Sequence, residues 1–92
     1  MIVRIMLEGQ YDVPDTQLDT LNELDRELEH AVNTGDETEF RTALHQLLGR
    51  VREAGTPLAD DSLQPSEIVL PAADASIDDV RELLGEEGLV PG

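Results

Sequence analysis

The sequence predicts a small single domain of the α/β (α+β) class, with about three strands packed against an αα-hairpin and a short C-terminal helix. Its 92 residues are enough for one domain of ordinary size. Short β-branched runs lie at residues 2–7 and 68–70, and two long segments with apolar residues at helical spacing lie between them. The expected element order over residues 1–92 is therefore β-β-α-α-β-α.

A β-hairpin is predicted at the start of the chain. The run at residues 2–7 is apolar and β-branched, and its odd positions, Val3, Ile5 and Leu7, form the face expected to be buried. Gly9 follows and can adopt the positive φ that a tight turn needs. A second strand of alternating residues is expected to continue until the first proline, which cannot donate to the ladder.

Two amphipathic helices joined by a short loop are predicted next. The apolar stripe of the first consists of Leu18, Leu21, Leu24, Leu28 and Val32. The stripe of the second consists of Phe40, Ala43, Leu44, Leu47, Leu48 and Val51. We expect Asp15 or Thr16 to cap the first helix and Gly35 to end it. Asp36 is expected to open a capping box, and Gly55 to end the second helix.

The last third of the chain predicts a connection, a strand and a helix. Residues 56–66 are rich in Pro, Asp and Ser and are expected to form a surface connection. Residues 68–70 are β-branched, lie between prolines and suit a third strand. A capping-box pattern at Ser76 begins a short helix that Gly85 is expected to end. The tail at 86–92 is expected to be docked or frayed.

The charge of the chain excludes several kinds of partner. There are 21 acidic side chains and six basic ones, all of them arginine, which gives a net charge of -15. Without a basic stripe, binding to nucleic acid or to an anionic membrane surface is not expected. No apolar run is long enough for a spanning helix, the acidic start does not resemble a secretory signal, and there is no cysteine. We expect a cytoplasmic protein, and the acidic, lysine-free surface favours a halophilic one over an ordinary acidic protein from a GC-rich genome.

No catalytic constellation can be assembled from the reactive residues. His30 and His45 lie one on each predicted hairpin helix, and together with Glu27 or Glu29 they are the candidates for a metal site. Their spacing matches no metal-binding motif, so a surface role is favoured.

The acidic loop at Asp60 and Asp61 lacks the alternating spacing of a calcium loop and is interpreted as a solvated turn. Glu67 and Asp74, nearby in sequence, do not change this interpretation. The serines do not lie in a nucleophile elbow. We therefore predict no catalytic residue, no cofactor and no metal.

The residues point instead to an interaction with another macromolecule. Ile2, Arg4 and Met6 lie on the strand face opposite the one expected to be buried. Ile2 and Met6 would be exposed unless helices cover both faces of the sheet. These three residues form the predicted contact surface for a partner strand or helix.

Four segments of the chain resemble the PspAA family, the PspA-associated small proteins. They are Met1–Tyr11, Gly55–Leu58, Pro65–Ser76 and Leu83–Gly92. The resemblance extends over the whole chain, and its motifs are turn and boundary residues. It implies a single PspAA-like domain that acts with PspA, the coiled-coil, membrane-remodelling protein of the phage-shock envelope-stress response in actinobacteria and haloarchaea. It brings no cofactor and assigns no site residue.

The leading hypothesis is a non-enzymatic adaptor that binds PspA or a related component, and reaches the membrane only through that partner. One alternative is a regulatory domain that binds a small ligand or metal through His30 and His45. Another is an acidic mimic of nucleic acid that occupies the basic groove of a partner.

The first prediction concerns salt. Because the net charge of -15 repels itself, and the Debye length falls to about 3 Å at about 1 M salt, added KCl should stabilise the fold. We expect the melting temperature to rise steadily from dilute buffer to molar KCl. A melting temperature that does not change with salt would contradict the halophilic interpretation.

Overall fold

The computed structural model describes residues 1–59 and 65–83, which form strands and helices of a mixed α/β domain. The strands are β1 (Ile2–Ile5), β2 (Gly9–Asp12), β3 (Thr56–Pro57) and β4 (Ile68–Leu70). The helices are α1 (Leu18–Thr34), α2 (Glu37–Ala54) and α3 (Ile77–Leu83), and a 3-10 turn at Asp15–Gln17 leads into α1. The fold class is as predicted, but the described part of the sheet has four strands where about three were expected.

The strands form one mixed sheet in the order β3-β2-β1-β4. β1 pairs antiparallel with β2 and parallel with β4, while β3 pairs antiparallel with the far edge of β2. In the β1–β4 register, Val3 lies opposite Ile68 and Ile5 lies opposite Leu70. Since side chains alternate along a strand, these four residues share one face of the sheet, and all four are buried.

The two long helices pack on each other and on that face to form the core. Both predicted apolar stripes contribute to it, together with the buried face of β1 and β4. The largest side chains that are almost fully enclosed are Phe40, Ile5, Leu21, Leu28, Leu44, Leu47, Leu48 and Leu70. Two polar residues, Gln10 and Asp25, are also buried.

Most predicted helix boundaries are confirmed. Gly35 ends α1 with φ 73°, and the Asp36 carboxylate accepts the Glu39 backbone N–H at 3.0 Å at the start of α2. At the start of α3 the Ser76 hydroxyl accepts the Asp79 backbone N–H, and the Asp79 carboxylate accepts the Ser76 N–H, each at 3.1 Å. These reciprocal hydrogen bonds satisfy two backbone donors that the helix itself leaves unpaired.

The predicted cap of α1 is wrong. The 3-10 turn takes up Asp15 and Thr16, so the α-helix begins later, at Leu18, without a side-chain cap. The Asp15 carboxylate instead accepts a hydrogen bond of 3.2 Å from the amino group of Met1.

Two strand predictions also need correction. Leu7 does not lie on the buried face, because β1 ends at Ile5 and Leu7 falls in the turn, where it is 92% exposed. Residues 56–66 are not wholly a connection, because Thr56–Pro57 pair with Asp12 and Tyr11 as β3. The predicted end of the last helix at Gly85 and the tail at 86–92 lie outside the described residues.

Gly49, inside α2, and Gly55, at its end, allow a test of stability. A Cβ at Gly55 would lie 2.7 Å from the Val51 carbonyl oxygen and 3.0 Å from atoms of Tyr11 and Val13. A Cβ at Gly49, inside α2, would meet no described atom within 4 Å. Gly55→Ala should lower the free energy of unfolding by about 1–3 kcal/mol through overpacking, whereas Gly49→Ala should raise it by about 0.5–1 kcal/mol. Urea denaturation at fixed salt measures both, and equal effects would contradict the packing described.

Candidate functional site

The loop between β1 and β2 is a tight turn that holds a leucine in an unusual conformation. The Glu8 N–H donates to the Ile5 carbonyl at 3.0 Å, which closes a four-residue β-turn. Leu7 is its third residue and has φ 67°, the conformation that a type II turn requires at that place and that glycine normally supplies. For a side chain such as leucine this conformation costs about 1–2 kcal/mol. Packing within the chain offsets little of that cost, because the Leu7 side chain is 92% exposed.

Two of the exposed large apolar side chains of the described residues, Met6 and Leu7, lie in this turn, and the third, Val69, lies in the middle of β4 opposite Arg4. Met6 is 42% exposed, Leu7 is 92% exposed and Val69 is 39% exposed. The Met6 N–H donates to the Leu70 carbonyl at 3.0 Å, so the turn after β1 lies beside the end of β4. Neighbouring exposed apolar side chains such as Met6 and Leu7 mark an interaction site more clearly than single scattered ones do.

A groove of about 410 Å³ opens beside the turn; we call it the hairpin groove. Its apolar part is formed by Met6, Leu7, Pro71 and Ala72. Its charged part consists of Asp74, Asp79 and Glu82, and none of the described residues that line it is basic. The hairpin groove therefore combines an apolar floor with a negatively charged wall.

α3 carries two of the three acidic side chains of the groove, Asp79 and Glu82, and Asp74 lies in the turn before it. Ile77 and Val80 are buried in the core on one side of this helix, while Glu82 on the other side lines the groove. Arg81 reaches across to α1, where its guanidinium donates to the Val32 carbonyl at 3.1 Å. The capping box at Ser76 fixes the start of the same helix, so Asp79 and Glu82 belong to an element that is held in place.

An ion pair fixes the turn from the other side. The Arg52 guanidinium, near the end of α2, donates to both carboxylate oxygens of Glu8, with Nε at 2.8 and 3.1 Å. The Tyr11 hydroxyl donates to the same carboxylate at 2.7 Å. The hydrogen bonds from Arg52 and then from Tyr11 lower the pKa of Glu8 to about 2, and the carboxylate raises the pKa of Tyr11 and of Arg52. The residue next to Leu7 is thereby tied to the helical layer.

The three residues predicted to form the contact surface have different positions in the structure. Met6 lines the hairpin groove. Arg4 is exposed, and its Nε donates to the Ser66 hydroxyl at 3.3 Å; Gln10, its neighbour on β2, donates to the same oxygen at 2.7 Å. Ile2 is only 8% exposed, so it has little surface to offer. A contact through these residues stays a prediction, and Met6 is the member that the groove includes.

The groove itself was not anticipated from the sequence. Leu7 is the last residue of the apolar run at 2–7 and continues its alternation. Glycine or asparagine is the usual signal for a left-handed turn position, and leucine gives no such signal. The acidic wall comes from a segment more than sixty residues away in sequence, which only the parallel pairing of β1 with β4 brings close.

The histidines do not form a metal site with the carboxylates predicted for them. His30 and His45 are both exposed, and His30 Nε2 lies 3.8 Å from Glu39 Oε1. Within residues 1–59 and 65–83 there is no group of three or more His, Asp or Glu placed to hold a metal ion. Asp60 and Asp61 lie outside the described residues.

Of the helices in the described ranges 1–59 and 65–83, none combines the length and the apolar character that crossing a bilayer requires.

The whole chain, residues 1–92, matches the PspAA family, described as PspA-Associated protein. No curated protein and no solved structure matches the chain.

The Glu8–Arg52 pair predicts a pH dependence of stability. The pKa of Glu8 is about 2 in the folded chain against an ordinary 4.5, so the unfolded chain binds more protons between these values. The stabilisation is complete above about pH 5 and is lost as the pH falls toward 2. Because the two side chains are 31% and 39% exposed, its size is only about 0.5–1.5 kcal/mol.

Glu8→Gln should therefore lower the free energy of unfolding at pH 7, and its difference from the unmodified chain should shrink toward zero at about pH 2. Arg52→Gln should cost a similar amount, and the double variant should cost less than the sum of the two single ones. Urea denaturation at constant ionic strength measures the free energy of unfolding of each variant. Additive losses, or a Glu8→Gln difference that does not change with pH, would refute the link between the turn and α2.

Proposed function

Since this chain belongs to the PspAA family, we propose that it is an accessory protein of the phage-shock-type membrane stress response that binds PspA or a related component of that system. The observation that supports binding is the pair of exposed apolar side chains, Met6 and Leu7, in the turn between β1 and β2. Exposed apolar clusters of this kind are covered in complexes, because removing apolar surface from water is favourable.

The proposed role is non-catalytic. The carboxylate with the most strongly lowered pKa, Glu8, is explained by its hydrogen bonds to Arg52 and Tyr11, which connect the turn to α2. A shifted pKa in a structural ion pair of this kind gives no reason to assign general acid or base chemistry. The proposal therefore depends on association alone.

The proposal places the protein in the cytoplasm, and at the membrane only through its partner. It also assigns the acidic surface to an environment of high salt. Under such conditions charge attraction acts only at short range, so apolar contact would supply most of the affinity. Cytoplasmic location, salt adaptation and contact with PspA are parts of one proposal, and each can be measured separately.

Binding to purified PspA from the same organism is the direct test. The immobilised chain, in buffer matched to the salt of the cell, should retain PspA. Met6→Gln should reduce the retained amount by about fivefold or more, because it places an amide in the apolar contact. Leu58→Gln is the matched control, because Leu58 is a partly exposed residue just after β3 and is outside the hairpin groove.

Two results would count against the proposal. Failure of the unmodified chain to retain PspA would refute it for PspA itself. Equal losses with Met6→Gln and Leu58→Gln would show that the apolar cluster at the turn is not the contact. Circular dichroism of both variants in the same buffer confirms that each is folded.

A further inference from the structure

Leu7 has the features of a residue kept for contact with another molecule. Its backbone adopts φ 67°, where glycine would be free of strain, and its side chain is 92% exposed. The fold itself gains little from a leucine at this position. A large apolar side chain that is both strained and uncovered indicates a function outside the folded chain.

The charge of the hairpin groove selects the kind of molecule that fits. Asp74, Asp79 and Glu82 make its wall negative, while Pro71 and Ala72 make its floor apolar. A segment with apolar side chains along one stripe and Lys or Arg beside them satisfies both features. An acidic segment would be repelled by the three carboxylates of the groove at short range. It would also be repelled at longer range by the net charge of -15.

We propose that the hairpin groove binds a basic amphipathic segment of the partner protein, with Leu7 as the apolar anchor and the acidic wall as the counter-charge. This inference rests on the proposed function and specifies the chemistry of the partner's contact segment. The groove's 410 Å³ accommodates a few side chains rather than a whole helix. The contact is therefore a short one, in which one or two apolar side chains of the partner pack against Leu7 and Met6.

The two parts of the site should respond differently to salt. The acidic wall acts by charge, and its contribution falls as the Debye length shortens from about 8 Å to about 3 Å between about 0.15 M and about 1 M salt. The contact with Leu7 is apolar, and it is maintained or strengthened in salt. Measurements at both salt concentrations therefore separate site-specific binding from unspecific attraction to an acidic protein.

The experiment uses a fluorescent peptide of about 14 residues with leucines at helical spacing and lysines between them. A second peptide carries glutamate in place of every lysine. Binding to the full chain is followed by fluorescence anisotropy at both salt concentrations. The lysine peptide should bind at both salt concentrations. The glutamate peptide should bind more weakly at both, and the difference should be larger at the lower salt concentration, where charge acts over a longer range.

Leu7→Gly should weaken binding of the lysine peptide by about tenfold or more at both salt concentrations. The same substitution should leave the melting temperature unchanged or raise it, since glycine relieves the strained turn. Leu7→Asn, which also tolerates this conformation, should reproduce the loss of binding. A loss of affinity that accompanies a gain in stability cannot come from unfolding.

Asp74→Asn with Glu82→Gln should weaken binding at both salt concentrations, and the loss should be smaller at the higher one, where only carboxylates in direct contact with the peptide still act. Asp79 is left unchanged in this variant because its carboxylate caps α3. The matched control is Asp19→Asn with Glu23→Gln, which removes the same charge from exposed positions of α1 outside the groove. Equal losses in the two double variants would show general charge attraction and overturn the proposal.

Other outcomes separate this inference from the proposed function. If purified PspA binds but Leu7→Gly leaves its affinity unchanged, the proposed function stands and the groove is not the contact. If the lysine peptide binds through Leu7 but PspA does not, the groove is correct and PspA is not the partner. If Leu7→Gly converts a dimer into a monomer and neither peptide binds, the occupant is a second copy of this chain and the proposal is wrong.

Discussion

The position of β1 at the centre of the sheet is the constraint on which the rest of the molecule depends. This strand of four residues pairs antiparallel with β2 and parallel with β4. Its odd side chains, Val3 and Ile5, are buried against the helical layer. Because β1 and β4 run in the same direction and end side by side at Ile5 and Leu70, the residues that follow them emerge together. The hairpin groove is the direct result of that pairing.

The apolar surface at this end of the sheet is difficult to explain as a by-product of folding. A chain of 92 residues can form only a modest hydrophobic core. An apolar side chain left in water contributes nothing to that core. The turn that carries Leu7 is nevertheless held firmly, since Glu8 is bound by Arg52 and Tyr11. Holding the backbone of this exposed residue in one conformation lowers the entropy that a partner must remove on binding. The rigidity and the exposure of the turn therefore serve the same contact.

The helical layer could be predicted from the sequence because its signals are local and repeated. Apolar residues recur at helical spacing over several turns, and the capping residues Asp36 and Ser76 act within three positions of themselves. β3 could not be predicted, because a strand of two residues that includes Pro57 has no periodicity of its own and forms only where β2 offers an edge. Leu7 was misplaced for a similar reason: alternation predicts which face a strand residue occupies but not where the strand ends.

The strongly negative charge and the apolar groove have different ranges of action, and this difference determines what each can specify. A net charge of -15 repels acidic molecules and attracts basic ones without distinguishing among sites. Molar salt reduces the range of this charge interaction to about 3 Å. At that salt concentration, only carboxylates that directly contact a partner still act on it. Asp74, Asp79 and Glu82 stand beside an apolar floor, so they remain within that range once a segment is seated there. Specificity for a partner would then come from the groove, where apolar contact and short-range charge coincide.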